Sequence, residues 1–176
     1  MATGIMVCGL NGCGKSTLGK ALAKKLGFHF IDNENLFFER TETNEPYRSP
    51  RSNDEAIDLL MKEVKEHGDF VFAAVTGDYG TEILPHYNYI VEIKVPKDVR
   101  MERVRARSFM KFGDRMLKGG DLYEEEERFF SFVESRPEDH VEKWTANFSC
   151  PVICVDGTKS VEENIKYILE YMENNV

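Results

Sequence analysis

Across 176 residues the sequence has no apolar run approaching the roughly 18 residues that cross a bilayer, and residues 1–10 lack the basic flank and long apolar stretch of a secretory signal. These absences predict a cytoplasmic protein with no membrane partner. Excess positive charge is missing too. Lysine and arginine number 23 against 31 aspartates and glutamates, a net charge of −8, which argues against a general nucleic-acid surface. Any anionic ligand must then be captured by a local site. Cysteine is sparse, with Cys8, Cys13, Cys150 and Cys154; on one strand the last two would lie about 13 Å apart, too far for a disulfide or a shared metal. His29, His67, His86 and His140 show no metal-ligand spacing and read as surface or structural residues. With 41% apolar residues, the length suits one well-buried core, hence a single domain over 1–176.

What is present alternates. Gly4-Ile5-Met6-Val7-Cys8 is a short apolar run ending in glycines, and Leu18, Ala21, Leu22 and Leu26 follow at helical spacing up to a terminating Gly27. Residues 28–31 read as a second strand, 36–40 as a short helix and 41–51, with Pro46 and Pro50, as a mobile loop. Ser52-Asn53-Asp54-Glu55 fits a capping box for a helix with Ile57, Leu60, Met61 and Val64 on one face, and Ser160 to Glu163 opens the last helix in the same way. Strands are expected at 70–75, 89–95 and 152–155. Pro137 reads as the first position of a helix carrying Val141, Trp144 and Phe148. Glu124 to Glu127 read as the solvated side of another helix. Strand–helix alternation implies an α/β fold, a parallel sheet covered on both faces with right-handed crossovers.

Gly9-Leu10-Asn11-Gly12-Cys13-Gly14-Lys15-Ser16 satisfies G-x-x-x-x-G-K-[ST] between a predicted strand and a predicted helix. Its glycines let backbone N–H groups converge on phosphate oxygens, and the helix start adds partial positive charge. Lys15 is placed for β- and γ-phosphates, the Ser16 hydroxyl for Mg²⁺, and Thr17 for the α-phosphate. Cys13 reads as a small spacer. Strand 70–75 has no Asp-Glu directly after it, and no [NT]-K-x-D guanine-reading motif occurs. The chain is also short for a ring-forming motor. These features favour a small phosphotransferase over a GTPase or mechanical ATPase.

On these motifs the sequence resembles the small-metabolite and nucleoside monophosphate kinases of the P-loop superfamily, shikimate-kinase-like and adenylate-kinase-like members in particular. The resemblance implies a three-layer P-loop fold with a five-stranded parallel sheet in the order 2-3-1-4-5 and a helical lid inserted at about 108–122. It also implies ATP as co-substrate, Mg²⁺, and a small-molecule acceptor. Phe30-Ile31-Asp32-Asn33-Glu34 is similar to the shikimate-kinase stretch ending in Asp-x-Asp, with Glu34 in place of the second aspartate. Asp32 then orients an acceptor or holds metal-bound water, or simply caps a helix. Gly77-Asp78-Tyr79-Gly80 occupies the place of an acceptor-binding turn, with Asp78 open to a metal role or an ordinary turn. By position Arg107 and Arg115 resemble lid arginines, Arg136 resembles an acceptor-contacting arginine, and Asp156-Gly157-Thr158 resembles an adenine-cradling turn. Arg100 and Arg103 share the helix face of Arg107 but read as solvated or paired with acids such as Glu102. A nucleotide-binding regulator or slow ATPase without an acceptor is the alternative.

Overall fold

A computed structural model of the chain describes residues 2–38 and 50–175. The loop expected at 41–51 lies outside these apart from Pro50 and Arg51, as do Glu39 and Arg40 of the expected short helix. That helix begins earlier, at Asn33, because Asp32 caps it through the Glu34 N–H. Five strands, β1 Gly4–Cys8, β2 His29–Asp32, β3 Phe70–Ala73, β4 Tyr87–Lys94 and β5 Val152–Asp156, form one parallel sheet in the order β2-β3-β1-β4-β5. The helices are α1 Lys15–Leu26, α2 Asn33–Phe37, α3 Asn53–His67, α4 Lys97–Phe112, α5 Tyr123–Ser135, α6 His140–Thr145 and α7 Val161–Asn174. Among the described residues no helix is long and apolar enough to cross a membrane.

Side chains alternate across each strand, so the central strands feed two cores. Met6, Cys8, Phe70, Phe72 and Ile90 pack with Leu36, Leu60, Met61 and Val141 on one face. Ile5, Val7, Val71, Val91 and Ile93 pack with Leu18, Leu22 and Ile168 on the other. A third cluster, Val104, Met116, Phe130 and Val133, joins α4 to α5. Both expected capping boxes form, Ser52 with Glu55 and Ser160 with Glu163, and Gly27 ends α1 at φ +75°. Cys150 precedes β5 instead of sharing it with Cys154. The helix expected from Pro137 starts later, at His140.

Two charged residues depart from the sequence reading. Glu126 is 1% exposed, on the buried face of α5 one turn before Phe130. Arg100 is 3% exposed and is neither solvated nor paired with Glu102. Its guanidinium donates to the Val95 carbonyl (3.1 Å), the Asn11 carbonyl (3.3 Å) and Glu138 Oε1 (2.6 Å). Gly12, at φ +85°, lies so close that an added Cβ would stand 2.4 Å from the Arg100 carbonyl oxygen, so only glycine fits there.

Arg100→Ala leaves two partly buried carbonyls and a carboxylate without their donor. It should lower stability by about 2–3 kcal/mol, a fall in Tm of roughly 4–12 °C for a chain of this size. Lys166→Ala, at an exposed i,i+4 pair with Glu170, should stay within about 0.5 kcal/mol. Thermal denaturation of the two variants tests the contrast.

Candidate active site

The carboxyl ends of β1, β2 and β3 open onto a cleft, the usual ligand position in an open α/β sheet. Gly14, at φ +96°, is the N-cap of α1, and no side chain caps that helix. No acidic residue occupies its first turn either, so its leading N–H groups and positive dipole end remain available to an anion. Gly12, Gly14, Lys15, Ser16 and Thr17 line a cavity of about 460 Å³ together with Asn11, Asp32, Glu34, Arg103 and Arg107. Ser16 and Thr17 are exposed.

Lys15 Nζ donates to the Leu10 carbonyl at 3.2 Å and sits 3.9 Å from Cys13 Sγ. Burial pushes its ammonium below the ordinary lysine range; nearby Cys13 opposes that shift, and Arg107 and Arg136 add to it. The cation is therefore held where only an anion would fully stabilise it. Cys13 is 2% exposed and packs in the α1-side core, which fits its reading as a spacer.

Two further cavities adjoin this one. On one side, Cys13, Gly14, Thr17, Arg103 and Gly157 line about 360 Å³ with Lys159 and Ser160. Of the three residues expected to cradle a base, only Gly157 lines this space. Asp156 and Thr158 bond one another, Asp156 Oδ1 accepting from the Thr158 N–H (2.8 Å) and hydroxyl (2.6 Å). Arg103 is exposed, as expected, and it also donates to the Gly157 carbonyl at 3.1 Å and borders both cavities. On the other side, Asn11, Asn33, Asn53, Asp78, Tyr79 and Arg136 line about 440 Å³. Arg136 donates to Asn11 Oδ1 at 2.9 Å and lies 5.0 Å from the Phe132 ring centroid. Burial lowers its pKa from the usual arginine value. The Tyr79 hydroxyl donates to Asn33 Oδ1, and burial, with Asp78 adding to it, pushes its pKa up to about 12, so it stays a donor at neutral pH.

The other expected residues fall variously. Gly77 is buried, and its carbonyl accepts from the Tyr87 hydroxyl at 2.9 Å, so close packing accounts for it. Asp78 accepts from the Thr76 hydroxyl at 2.6 Å while bordering the 440 Å³ space. Arg115 lies outside all three cavities, paired with Asp121 at 2.6 Å on the exposed surface. Gly9 sits behind the loop against Cys13 and Ile93, where a Cβ would approach the Cys13 sulfur to 2.6 Å.

Residues 5–130 match the family profile described as an AAA domain, AAA_18. The chain belongs to this family. It is 28% identical over 183 residues to the uncharacterized protein YqaC of Bacillus subtilis (strain 168), covering 99% of this chain and all of the relative. It is 27% identical over 121 residues to a shikimate kinase of Clostridium botulinum (strain Eklund 17B / Type B), covering 67% of this chain and 64% of that protein. Similar solved structures include a shikimate kinase from Bacteroides thetaiotaomicron (TM-score 0.62, 22% identity, 98% of this chain and 99% of that one). A deoxyadenosine kinase from M. mycoides with bound dATP also matches (TM-score 0.57, 16% identity, 98% and 100%). The fold of this AAA-domain member is thus that of the P-loop kinases, with the expected strand order.

Asn33, Asn53 and Arg103 line these cavities although the sequence alone does not single them out as site residues, and it marks Tyr79 only as part of a turn. Asn53 was legible only as part of a capping box, and Arg103 only as a charge on an amphipathic face. The Asn33–Tyr79 bond joins residues 46 apart, which no local pattern encodes.

A lysine whose pKa is lower in the folded than in the unfolded chain binds protons less well when native, so its charged form opposes folding. That opposition fades as pH rises through the native pKa. Lys15→Met should therefore raise Tm in the absence of nucleotide. Wild type is expected to be stabilised by Mg-ATP, by about 2.7 kcal/mol at a hundredfold excess over Kd, and the variant not at all. Thermal shift with and without nucleotide reads both effects.

Proposed function

We propose that this chain is a Mg²⁺-dependent ATP phosphotransferase acting on a hydroxyl or phosphate of a small metabolite or nucleotide. The observation that carries the reading is the arrangement of three adjoining cavities. The phosphate loop lies in the middle, a cavity bordered by Gly157 is on one side and a polar one on the other. Volumes of a few hundred Å³ suit a nucleoside and a small acceptor. Asn11 borders both the central and the polar cavity, so the two occupants would meet at the loop.

In this reading the α1 N–H groups and Lys15 bind the terminal phosphates, and Arg103 and Arg107 spread the charge that develops on the transferred group. Asn11, Asn33, Tyr79 and Arg136 hold the acceptor through amide, hydroxyl and guanidinium hydrogen bonds. Asp32, at the end of β2 in the central cavity, accepts a hydrogen bond from the incoming hydroxyl and orients it. The exposed Ser16 hydroxyl and the Glu34 carboxylate border one cavity, hard oxygen donors that fit Mg²⁺. The ion would supply charge neutralisation there. Arg115 would serve as a lid arginine only after leaving Asp121.

The kinase relatives and the P-loop fold support this reading. Incubation with Mg-ATP and a panel of nucleosides, nucleoside monophosphates, sugars and hydroxy acids should give ADP release that depends on one class of acceptor. Uniform slow release would favour a regulator or slow ATPase and overturn the assignment. Asp32→Asn keeps the α2 cap, since asparagine caps as well as aspartate. It should leave nucleotide stabilisation intact while lowering kcat roughly 10²–10⁴-fold with the acceptor found.

A further inference from the structure

His29 opens β2, and the parallel sheet places it at the end opposite the phosphate loop. There it meets the last turns of α3. His29 Nε2 lies 2.6 Å from Glu63 Oε2, and His67 Nε2 lies 3.6 Å from the same oxygen. The two imidazoles stack with centroids 3.6 Å apart and planes within 13°. Three donor atoms thus converge within 4.8 Å of one another. Sequence reading found no metal-ligand spacing among the histidines because His29 is far from His67 along the chain and is carried to it by the packing of α3 on β2. The local Glu63-x-x-x-His67 pair on one helix face was the signal available.

From this convergence we propose that His29, Glu63 and His67 form a binding site for a divalent transition ion of the Zn²⁺ class, separate from the nucleotide cleft. Two imidazoles and one carboxylate are borderline donors that suit Zn²⁺ better than Mg²⁺ or Ca²⁺. Bonds of about 2.0–2.2 Å in tetrahedral geometry put ligand atoms roughly 3.4 Å from one another. The His67–Glu63 separation already matches that spacing and is too long for a hydrogen bond. Binding needs the His29–Glu63 pair to open by less than about 1 Å on the same scale and one of the two stacked rings to turn, because the in-plane lone pairs of parallel imidazoles do not meet at one point; side chains 31%, 29% and 44% exposed allow both. His67 is 44% exposed, so an ion reaches the site from solvent and water completes its coordination. The ion would tie the C-terminal turn of α3 to the start of β2. Asn53 and Ile57, at the other end of α3, border the proposed acceptor cavity, so the staple would fix the helix that forms one wall of it.

The test is a Zn²⁺ titration of the nucleotide-free full chain by calorimetry, with thermal shift alongside. Wild type should take up one equivalent at pH 7.5 and rise in Tm. His67→Gln and Glu63→Gln should each weaken uptake at least tenfold, while stabilisation by Mg-ATP stays at the wild-type level. Co²⁺ substituted for Zn²⁺ should show a spectrum without thiolate charge-transfer bands, because no cysteine belongs to the set. Absence of uptake, uptake unchanged in either variant, or thiolate bands from Co²⁺ would overturn the site. None of these outcomes depends on phosphotransfer, so they leave the kinase reading to its own test.

Discussion

The loop from Gly9 to Gly14 can offer N–H groups to an anion only if its backbone is held away from ordinary helix or sheet pairing, and that hold comes from the first turns of α4. Arg100, buried beyond the carboxyl end of β4, takes the Asn11 carbonyl while its own carbonyl presses against Gly12. Glu138 neutralises the guanidinium from the segment leading into α6, so the loop is fixed from two directions. A buried arginine is costly unless its donors are used. Here three acceptors use them. The Asn11 side chain then reaches Arg136, which extends the same fixed framework to the polar cavity.

Much of this was legible in the sequence where local chemistry fixes local structure. The phosphate loop, Gly27, and the two Ser-x-x-Glu boxes depend on residues a few positions apart, and each appears where spacing placed it. The strand order came with the family resemblance, and the parallel pairing follows from strand–helix alternation. Misreadings concentrate where a charge is satisfied by a distant partner. Arg100 looks like a solvated residue on a charged helix but is buried, and its acceptor Asn11 lies 89 residues away; Arg103 is exposed as read, yet its acceptor, Gly157, 54 residues away, was equally invisible to local pattern. Glu126 misleads for a related reason. A run of four glutamates reads as uniformly exposed, although a helix rotates successive residues by about 100° and must turn one of them inward. Gly77 shows the converse error, since a glycine required for packing beneath Tyr87 resembles one required for ligand approach.

The charge distribution follows from the same placement. A chain with net charge −8 would repel a polyphosphate if its charges were evenly spread. Instead Lys15, Arg103, Arg107 and Arg136 border the adjoining cavities, where Asp32, Glu34 and Asp78 are also present, while other acidic residues are used elsewhere. Glu55 and Glu163 accept from their own helix caps, and Asp121 holds Arg115 at the surface. Local attraction over a few ångströms outweighs net repulsion screened beyond about 8–10 Å at physiological salt. Acidity of the whole and basicity of the cleft are therefore compatible.

Arg100, Arg103 and Arg107 stand at i, i+3 and i+7 of one helix, hence on one face. Their uses differ along that face: the first is locked under the loop, the second bonds the Gly157 carbonyl, and the third borders the phosphate cavity. Because a helix is stiff, anchoring Arg100 also sets where the other two begin relative to the loop. Cations positioned in advance need little reorganisation when an anion arrives, which is the condition under which such groups stabilise a developing charge most effectively. Arg115 has no such anchor. It lies beyond Gly113, where α4 ends at φ +58°, and its partner Asp121 belongs to the same short stretch. The division between a fixed inner pair and a separately held outer arginine thus follows from where the helix stops.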